Sequence, residues 1–474
     1  MDHKDQYKHK PTNVYNLRQR RRQEEVGLRK QRRHHHVDAK RVRLDSEPAE
    51  EEYTIDQVCK IAKAIQKPGG DKLGQLKKLK RMFAQGSALI DAFLGVDNSF
   101  NALVGLLSGK DPALQLQAAC CITNFSASDY KHCMMALQHA APYLVTYLGG
   151  QNAVLQDQCS WALGNLAGDG PECREKLLAQ GAVQLLVNLL KSPEPNVVRS
   201  AAFALSNLAR GKEANIKALM DAGIAEPLLQ LLQVKTDQGT MAEAAWTLTY
   251  LTAGGEFEQS FVSMGLIPKL VAAMELLSKQ KPHDSAVLTP LIRCLGNICT
   301  GPENIVTMAT EDGTLLPTIG RLLQSDHRHI KKETLWAVSN MTEVLSVCEQ
   351  VITLGLLPNI ISCLDTTFDI KREAVVCLCN LAYHGATFCQ QLIQHGAFPG
   401  VISMLKDADP AAVGLVLGFS DMILKNNENG KHLFEEHGGL TLLEPLEYHN
   451  NPTIHSQVAE FLETYFYHDA DKGS

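Results

Sequence analysis

The sequence predicts an all-α chain, an α-solenoid carrying a basic N-terminal arm. Three observations lead there. A glycine-led apolar phrase recurs at a nearly constant interval, helical hydrophobic patterning fills the space between its copies, and the charge divides sharply between the first 45 residues and the rest.

The arm comes first. Residues 1–45 hold 14 Lys and Arg against 6 Asp and Glu, a balance of +8, which leaves 32 against 46, or −14, for residues 46–474. Its stretch LRQRRRQEEVGLRKQRRHHHVDAKRVRLDS has too little apolar content to form a core, so it is expected to be partly disordered alone and to fold on an acidic partner. Nucleic acid is the rival ligand for such a run, but neither interleaved aromatics nor a known reading motif supports it. His34, His35 and His36 are adjacent, so their side chains diverge, and no further ligands stand at metal spacing; they read as a solvated stretch, with no metal or cofactor expected. An acidic linker, residues 46–53, follows.

Residues 54–470 form the predicted solenoid. The phrase begins at Gly181 (GAVQLLVNLL), Gly223, Gly265, Gly313, Gly355, Gly396 and Gly439 (GLTLLEPL), at intervals of 42, 42, 48, 42, 41 and 43 residues. Between copies, runs such as VVRSAAFALSNLARG place apolar residues at i, i+3, i+4 and i+7, as a helix with one buried face requires. A unit this small cannot enclose its own core, so neighbours must stack into a continuous spine. The leading glycine suits a helix stop or a sharp turn, where positive φ costs it little.

Aligned on this period, Asn124, Asn165, Asn207, Tyr250, Asn297, Asn340 and Asn380 fall in register, and four residues earlier stand Cys120, Trp161, Phe203, Trp246, Arg293, Trp336 and Val376. All three tryptophans of the chain occupy this one position. Residues four apart share a helix face, so the two series form parallel rows. A lone Trp would be core and a lone Asn would bond a neighbouring carbonyl. A paired array instead offers indole slots for Lys and Arg stems, with cation–π attraction, and carboxamides that grip a peptide backbone. Asp169, Glu243, Glu333 and Glu373 lie close by in an acidic body that attracts a polybasic partner. The expected ligand is an extended basic segment.

These residues resemble the importin-alpha nuclear import adaptors, over nearly the whole chain. SWALGNLAGDG, AAWTLTYL, LIRCLGNICTG and IKKETLWAVSN are similar to successive repeats of that family, and LEPLEYHNNPTIHSQVAEFLETYF to its last. The resemblance implies a right-handed superhelix of about nine to ten armadillo repeats and a groove that binds basic nuclear localisation signals. It also implies an importin-beta-binding arm using Arg18, Arg20, Arg21, Arg22, Leu28, Arg29, Lys30, Arg32 and Arg33, and an export receptor at the C-terminal repeats. AKRVRLD, residues 39–45, itself resembles a localisation signal, so Lys40, Arg41 and Arg43 are expected to occupy the groove until a carrier withdraws the arm.

The resemblance departs at Cys120, Phe203 and Val376, where the family's pattern has Trp, and at Ser128 and Cys133, where its lysine pocket has Gly and Thr. The missing indoles at Cys120 and Phe203 are each expected to weaken the first site by about 1 kcal/mol, and Val376 stands in the second site. The departures resemble a divergent member, and they leave a second function class: an armadillo scaffold whose groove takes some other peptide.

An enzyme is not expected, since there is no P-loop, no G-x-S-x-G and no metal spacing. Thirteen cysteines without a C-x-x-C pair, and no N-terminal signal peptide, suggest a reducing cytoplasmic and nuclear setting without disulfides. The longest apolar stretches run for about ten residues, short of the roughly 20 a membrane span requires. A solenoid of this kind offers no evident reason to oligomerise, so a monomer is expected.

Overall fold

The computed structural model describes residues 39–43, 52–211 and 214–467, and every regular element among them is helical. The carrier-binding residues named in the arm, the histidine triple and most of the acidic linker lie outside the described residues. The described chain falls into two compact units that divide between Phe257 and Glu258.

The repeat is two short helices followed by a long one. Tyr130–His139 and Ala141–Leu148 lead into Ala153–Asp169, and Pro171–Ala179 and Ala182–Leu189 lead into Pro195–Leu208. In the first unit the long helices are α1 (Lys72–Phe83), α2 (Pro112–Phe125), α3 (Ala153–Asp169), α4 (Pro195–Leu208) and α5 (Gln238–Leu251), each packed on the next. In the second they are α6 (Ser285–Ile298), α7 (Arg328–Met341), α8 (Phe368–Tyr383), α9 (Pro410–Asn426) and α10 (Pro452–Tyr465), again in succession. The α-solenoid architecture is thus present in both units.

Local sequence starts these helices. Asp111, Asn152, Asp237, Asp284, Asp409 and Asn451 each cap a long helix by accepting a hydrogen bond from a backbone N–H in its first turn. Such a cap contributes about 1 kcal/mol, and the prolines at 112, 410 and 452 stand where the missing N–H is harmless. Thr54 caps the first described helix, Ile55–Gln66, and Gln57 reaches back to complete a capping box.

The central long helices are buried on most sides, whereas α1 and α10 bury a single face. In α4, Ala201, Ala202, Phe203, Ala204 and Leu205 are all buried in one run, because the helix lies between its neighbours rather than at the surface. Phe83 packs edge-on against Phe93 and Phe125 at 5.1 and 5.7 Å between ring centres, and Phe434 meets Phe461 at 5.4 Å, closing the ends of the two units' cores. Among the described residues no cysteine forms a disulfide, and twelve of the thirteen are buried, where they serve as small apolar fillers.

Gly181, Gly223, Gly265, Gly313, Gly355 and Gly396 all adopt positive φ, at the turn between the two short helices. The seventh copy differs from the expectation. Positive φ belongs to Gly438, and Gly439 is the first helical residue, where an added Cβ would meet the Phe434 ring at 2.4 Å. Counted from Gly438, the last interval is 42 residues. The long interval of 48 arises because the second short helix grows to 13 residues, Leu266–Ser278, against 8 in Ala182–Leu189.

Candidate peptide-binding groove

The asparagine row performs a structural task first. Asn165 Nδ2 donates to the Thr123 carbonyl at 2.9 Å, Asn207 Nδ2 to Gly164 at 2.9 Å, Asn340 Nδ2 to Gly296 at 2.9 Å and Asn380 Nδ2 to Ser339 at 2.6 Å. Each acceptor is the residue just before the asparagine of the preceding repeat. The side chain therefore ties two long helices together and is held in one orientation. Its oxygen is a separate group that can receive an N–H from outside, as that of Asn165 does.

In the first unit that outside group is the chain's own segment Ala39–Arg43. Asn207 Nδ2 donates to the Ala39 carbonyl at 2.7 Å. Asn165 accepts from Arg41 N at 2.8 Å and donates to Arg41 O at 3.0 Å, while Asn124 accepts from Arg43 N at 2.8 Å and donates to Arg43 O at 3.2 Å. Trp161 adds an indole N–H to Arg41 O at 2.8 Å. Every second residue is gripped by its backbone, and the segment runs opposite to the order of the repeats. Gly168 makes the approach possible: a Cβ there would meet the Ala39 carbonyl oxygen at 2.5 Å.

The side chains of the segment enter three seats. Lys40 Nζ reaches Asp169 Oδ1 at 2.6 Å, the Ser128 carbonyl, and Cys133 Sγ at 3.8 Å. Burial alone would lower the Lys40 pKa, but the hydrogen bond to Asp169 and the nearby charge outweigh it and hold the ammonium above its ordinary value. Burial also pushes the Cys133 thiol well up, so it meets the lysine as a neutral group. Arg41 pairs with Glu243 Oε1 at 2.6 Å, and its guanidinium stands 4.5 Å from the centre of the Phe203 ring. Arg43 pairs with Asp157 Oδ2 at 2.6 Å and lies 4.8 Å from the centre of Trp161. The three acids are nearly buried, at 6–8% side-chain exposure, so these pairs are poorly screened. Val42, between the seats, is exposed.

The rest of the row shows the following contacts among the described residues. Trp246 stacks on Tyr250 with ring centres 6.0 Å apart. In the second unit Arg293 forms a buried pair with Glu333 at 2.8 Å, and Trp336 packs where a Cβ on Gly296 would meet its ring at 2.1 Å. Asn297, Asn340, Asn380, Glu373 and Val376 are all buried on α6 to α8, and Arg372 lies 3.6 Å from Glu373.

The sequence profile of the TMCO6 family matches residues 58–466, and that of the importin beta binding domain matches residues 3–84. Importin subunit alpha-1a of Oryza sativa subsp. japonica is 32% identical over 387 residues, covering 78% of this chain and 72% of its own. The chain belongs to the TMCO6 and importin-alpha families. Importin subunit alpha-9 of Arabidopsis thaliana is 29% identical across 95% of both chains. The crystal structure of an engineered protein shares the fold, with a TM-score of 0.75 at 23% identity, covering 86% of this chain and 98% of its own. Importin alphas are non-enzymatic, and at the level of the family the role is that of a nuclear import adaptor.

Within this importin-alpha groove, Asp157 and Gly168 were not among the residues expected from sequence. Asp157 had a signal, since it stands one helical turn before Trp161. Gly168 had none, because only the path of the bound backbone makes it necessary. Among the described residues no cluster of His, Cys, Asp and Glu could hold a metal, and no single helix is long and apolar enough to cross a membrane.

Proposed function

We propose that this chain is an adaptor whose first-unit groove binds basic localisation signals, and that its own Lys40–Arg43 segment occupies the groove intrasterically. The observation that carries the reading is the grip on residues 39, 41 and 43 by Asn207, Asn165 and Asn124, with Lys40 on Asp169. It is sequence-independent along the backbone and selective for cations at the side chains. The match of residues 3–84 to an importin beta binding domain supports a beta-type carrier as the arm's partner, with Arg18, Arg20, Arg21, Arg22, Leu28, Arg29, Lys30, Arg32 and Arg33 as its contacts. Carrier binding would then draw residues 39–43 out of the groove and free it for cargo. Shuttling between cytoplasm and nucleus as a monomer, with an export receptor at the C-terminal repeats, completes the reading, as does the division into arm, linker and solenoid at residues 45 and 54.

A tethered competitor acts at roughly millimolar effective concentration. A fluorescent basic peptide is therefore expected to bind a chain beginning at Thr54 at least about tenfold more tightly than the full chain, and carrier is expected to raise the full chain to the same level. Equal affinities with and without the arm would end this reading. The thiol of Cys120 and the isopropyl of Val376, in place of indoles, favour a second one, a scaffold for another peptide class. Carrier binding to the arm with no cargo binding sensitive to Trp161→Ala or Trp336→Ala would select it.

A further inference from the structure

The lysine seat has a floor that nothing yet described holds in place. The ammonium of Lys40 is received by a backbone carbonyl, that of Ser128, in the short link Ser126–Asp129 between α2 and the helix Tyr130–His139. Asp129 stands at the N-cap of that helix but makes no side-chain capping bond. The link is instead gripped from the third helical residue. His132 Nδ1 lies 2.9 Å from Ser128 Oγ, and His132 Nε2 lies 3.0 Å from Asp91 Oδ1 on the helix Ser87–Leu94. The ring is fully buried, with its edge toward Phe125 at 5.4 Å between centres. Lys131 also reaches Asp91 Oδ1, at 2.7 Å, and the hydrogen bonds from Lys131 and His132 hold the Asp91 carboxyl below its usual range.

The chemistry fixes the sense of this relay. Asp91 is a carboxylate and can only accept, so Nε2 carries the ring hydrogen. In the neutral ring Nδ1 is then an acceptor, and the Ser128 hydroxyl donates to it. The same hydroxyl cannot turn toward the ammonium, and the Ser128 carbonyl is left pointing at the pocket. Backbone bonds from Ser126 N to Ile122 O at 2.8 Å and from Ser128 N to Phe125 O at 3.3 Å carry the link out of α2, and Cys133 donates weakly to the Ser126 and Ser128 carbonyls at 3.1 and 3.7 Å; the Ser128 side chain is held by His132.

We infer that His132 is a positioning residue of the lysine seat, acting through Ser128 to hold the carbonyl that receives the ammonium. The inference rests on the intrasteric reading above. It assigns selectivity for lysine in this groove to a buried imidazole on the helix that follows α2, out of contact with the peptide itself.

The test uses the full chain and two fluorescent peptides, AKRVRLD and its AARVRLD counterpart, each competing with the arm. In His132→Leu and Ser128→Ala the seat loosens for Lys40. AARVRLD, which makes no use of the seat, then binds about three- to tenfold more tightly than to the unaltered chain. AKRVRLD stays nearly unchanged, because it loses the same seat that it gains access to. General damage to the fold would weaken both peptides together. His132→Gln, whose amide can serve Ser128 and Asp91 at once, returns both affinities to the starting values. Lys40→Ala is the control and strengthens AARVRLD on its own. The inference is overturned if Lys40→Ala strengthens AARVRLD while neither His132→Leu nor Ser128→Ala does. If Lys40→Ala itself has no effect, the intrasteric reading fails and the role of His132 falls with it.

Discussion

A carboxylate at the last residue of a helix faces the negative end of the helix dipole, and Asp169 closes α3 in that position. Left alone it costs about 0.3–1 kcal/mol; the ammonium of Lys40 reverses the sign. Asp169→Asn is therefore expected to leave the thermal midpoint of a chain beginning at Thr54 unchanged or slightly raised. Its affinity for a basic peptide should fall by about 2 kcal/mol or more, roughly 30-fold, because a desolvated cation loses its partner. Titration of the two proteins with one peptide checks this. Trp161 has two separable tasks, an N–H to Arg41 O and a face for Arg43. Trp161→Phe removes the first, about 1 kcal/mol; Trp161→Ala removes both, and the two losses should rank in that order. Gly168→Ala isolates the backbone path. Alanine favours a helix by about 0.5–1 kcal/mol over glycine, which offsets the slight shift required of Asn207 Nδ2 at 3.1 Å, whereas the Ala39 carbonyl oxygen, at 2.5 Å from the new Cβ, is displaced. Peptide affinity falling while stability holds is the expected pair of results.

At the scale of helices, the same substitution reads differently one residue before an asparagine. A Cβ on Gly296 would meet the indole of Trp336 on the next long helix, and one on Gly164 would meet the Phe203 ring at 2.6 Å. Gly296→Ala is thus expected to lower unfolding free energy by about 1–3 kcal/mol, measurable by urea denaturation. Asn340→Ala should cost about 1 kcal/mol by freeing the Gly296 carbonyl. This packing explains what was legible in the sequence and what was not. The rows of Trp and Asn could be read because the repeat fixes their register, and register alone puts residues four apart on one face. The choice between core and ligand roles for Asn could not be read, because the two amide atoms divide the roles between them. Nor could the partner of Arg43, since the pairing with Asp157 depends on where a distant segment lies across the helices. Of the adjacent pair, Gly438 turns the chain and keeps the 42-residue interval, while Gly439 is confined to glycine because a Cβ there would meet the Phe434 ring.

Across the whole chain, a basic arm of +8 is joined to a body of −14. Charges of that kind act at two ranges. The exposed acids of the body attract a cationic peptide from a distance, and salt shortens that reach from about 10 Å at 0.1 M to about 3 Å at 1 M. The seats themselves work at contact, with acids at 6–8% exposure paired at 2.6 Å. Salt should therefore separate encounter from holding. For a chain beginning at Thr54, raising salt from about 50 to 500 mM is expected to slow peptide association by roughly tenfold or more, while dissociation changes by less than about threefold. Stopped-flow fluorescence measures both rates. A dissociation rate that climbed in step with the fall in association would mean that the bound cations remain solvated, contrary to the seating of Lys40, Arg41 and Arg43. In the full chain the arm is tethered and has no long-range encounter to lose. Salt then weakens the free peptide on the full and the shortened chain alike, so the advantage gained by removing the arm, which depends only on how firmly the arm closes, should hold constant or narrow slightly as salt rises.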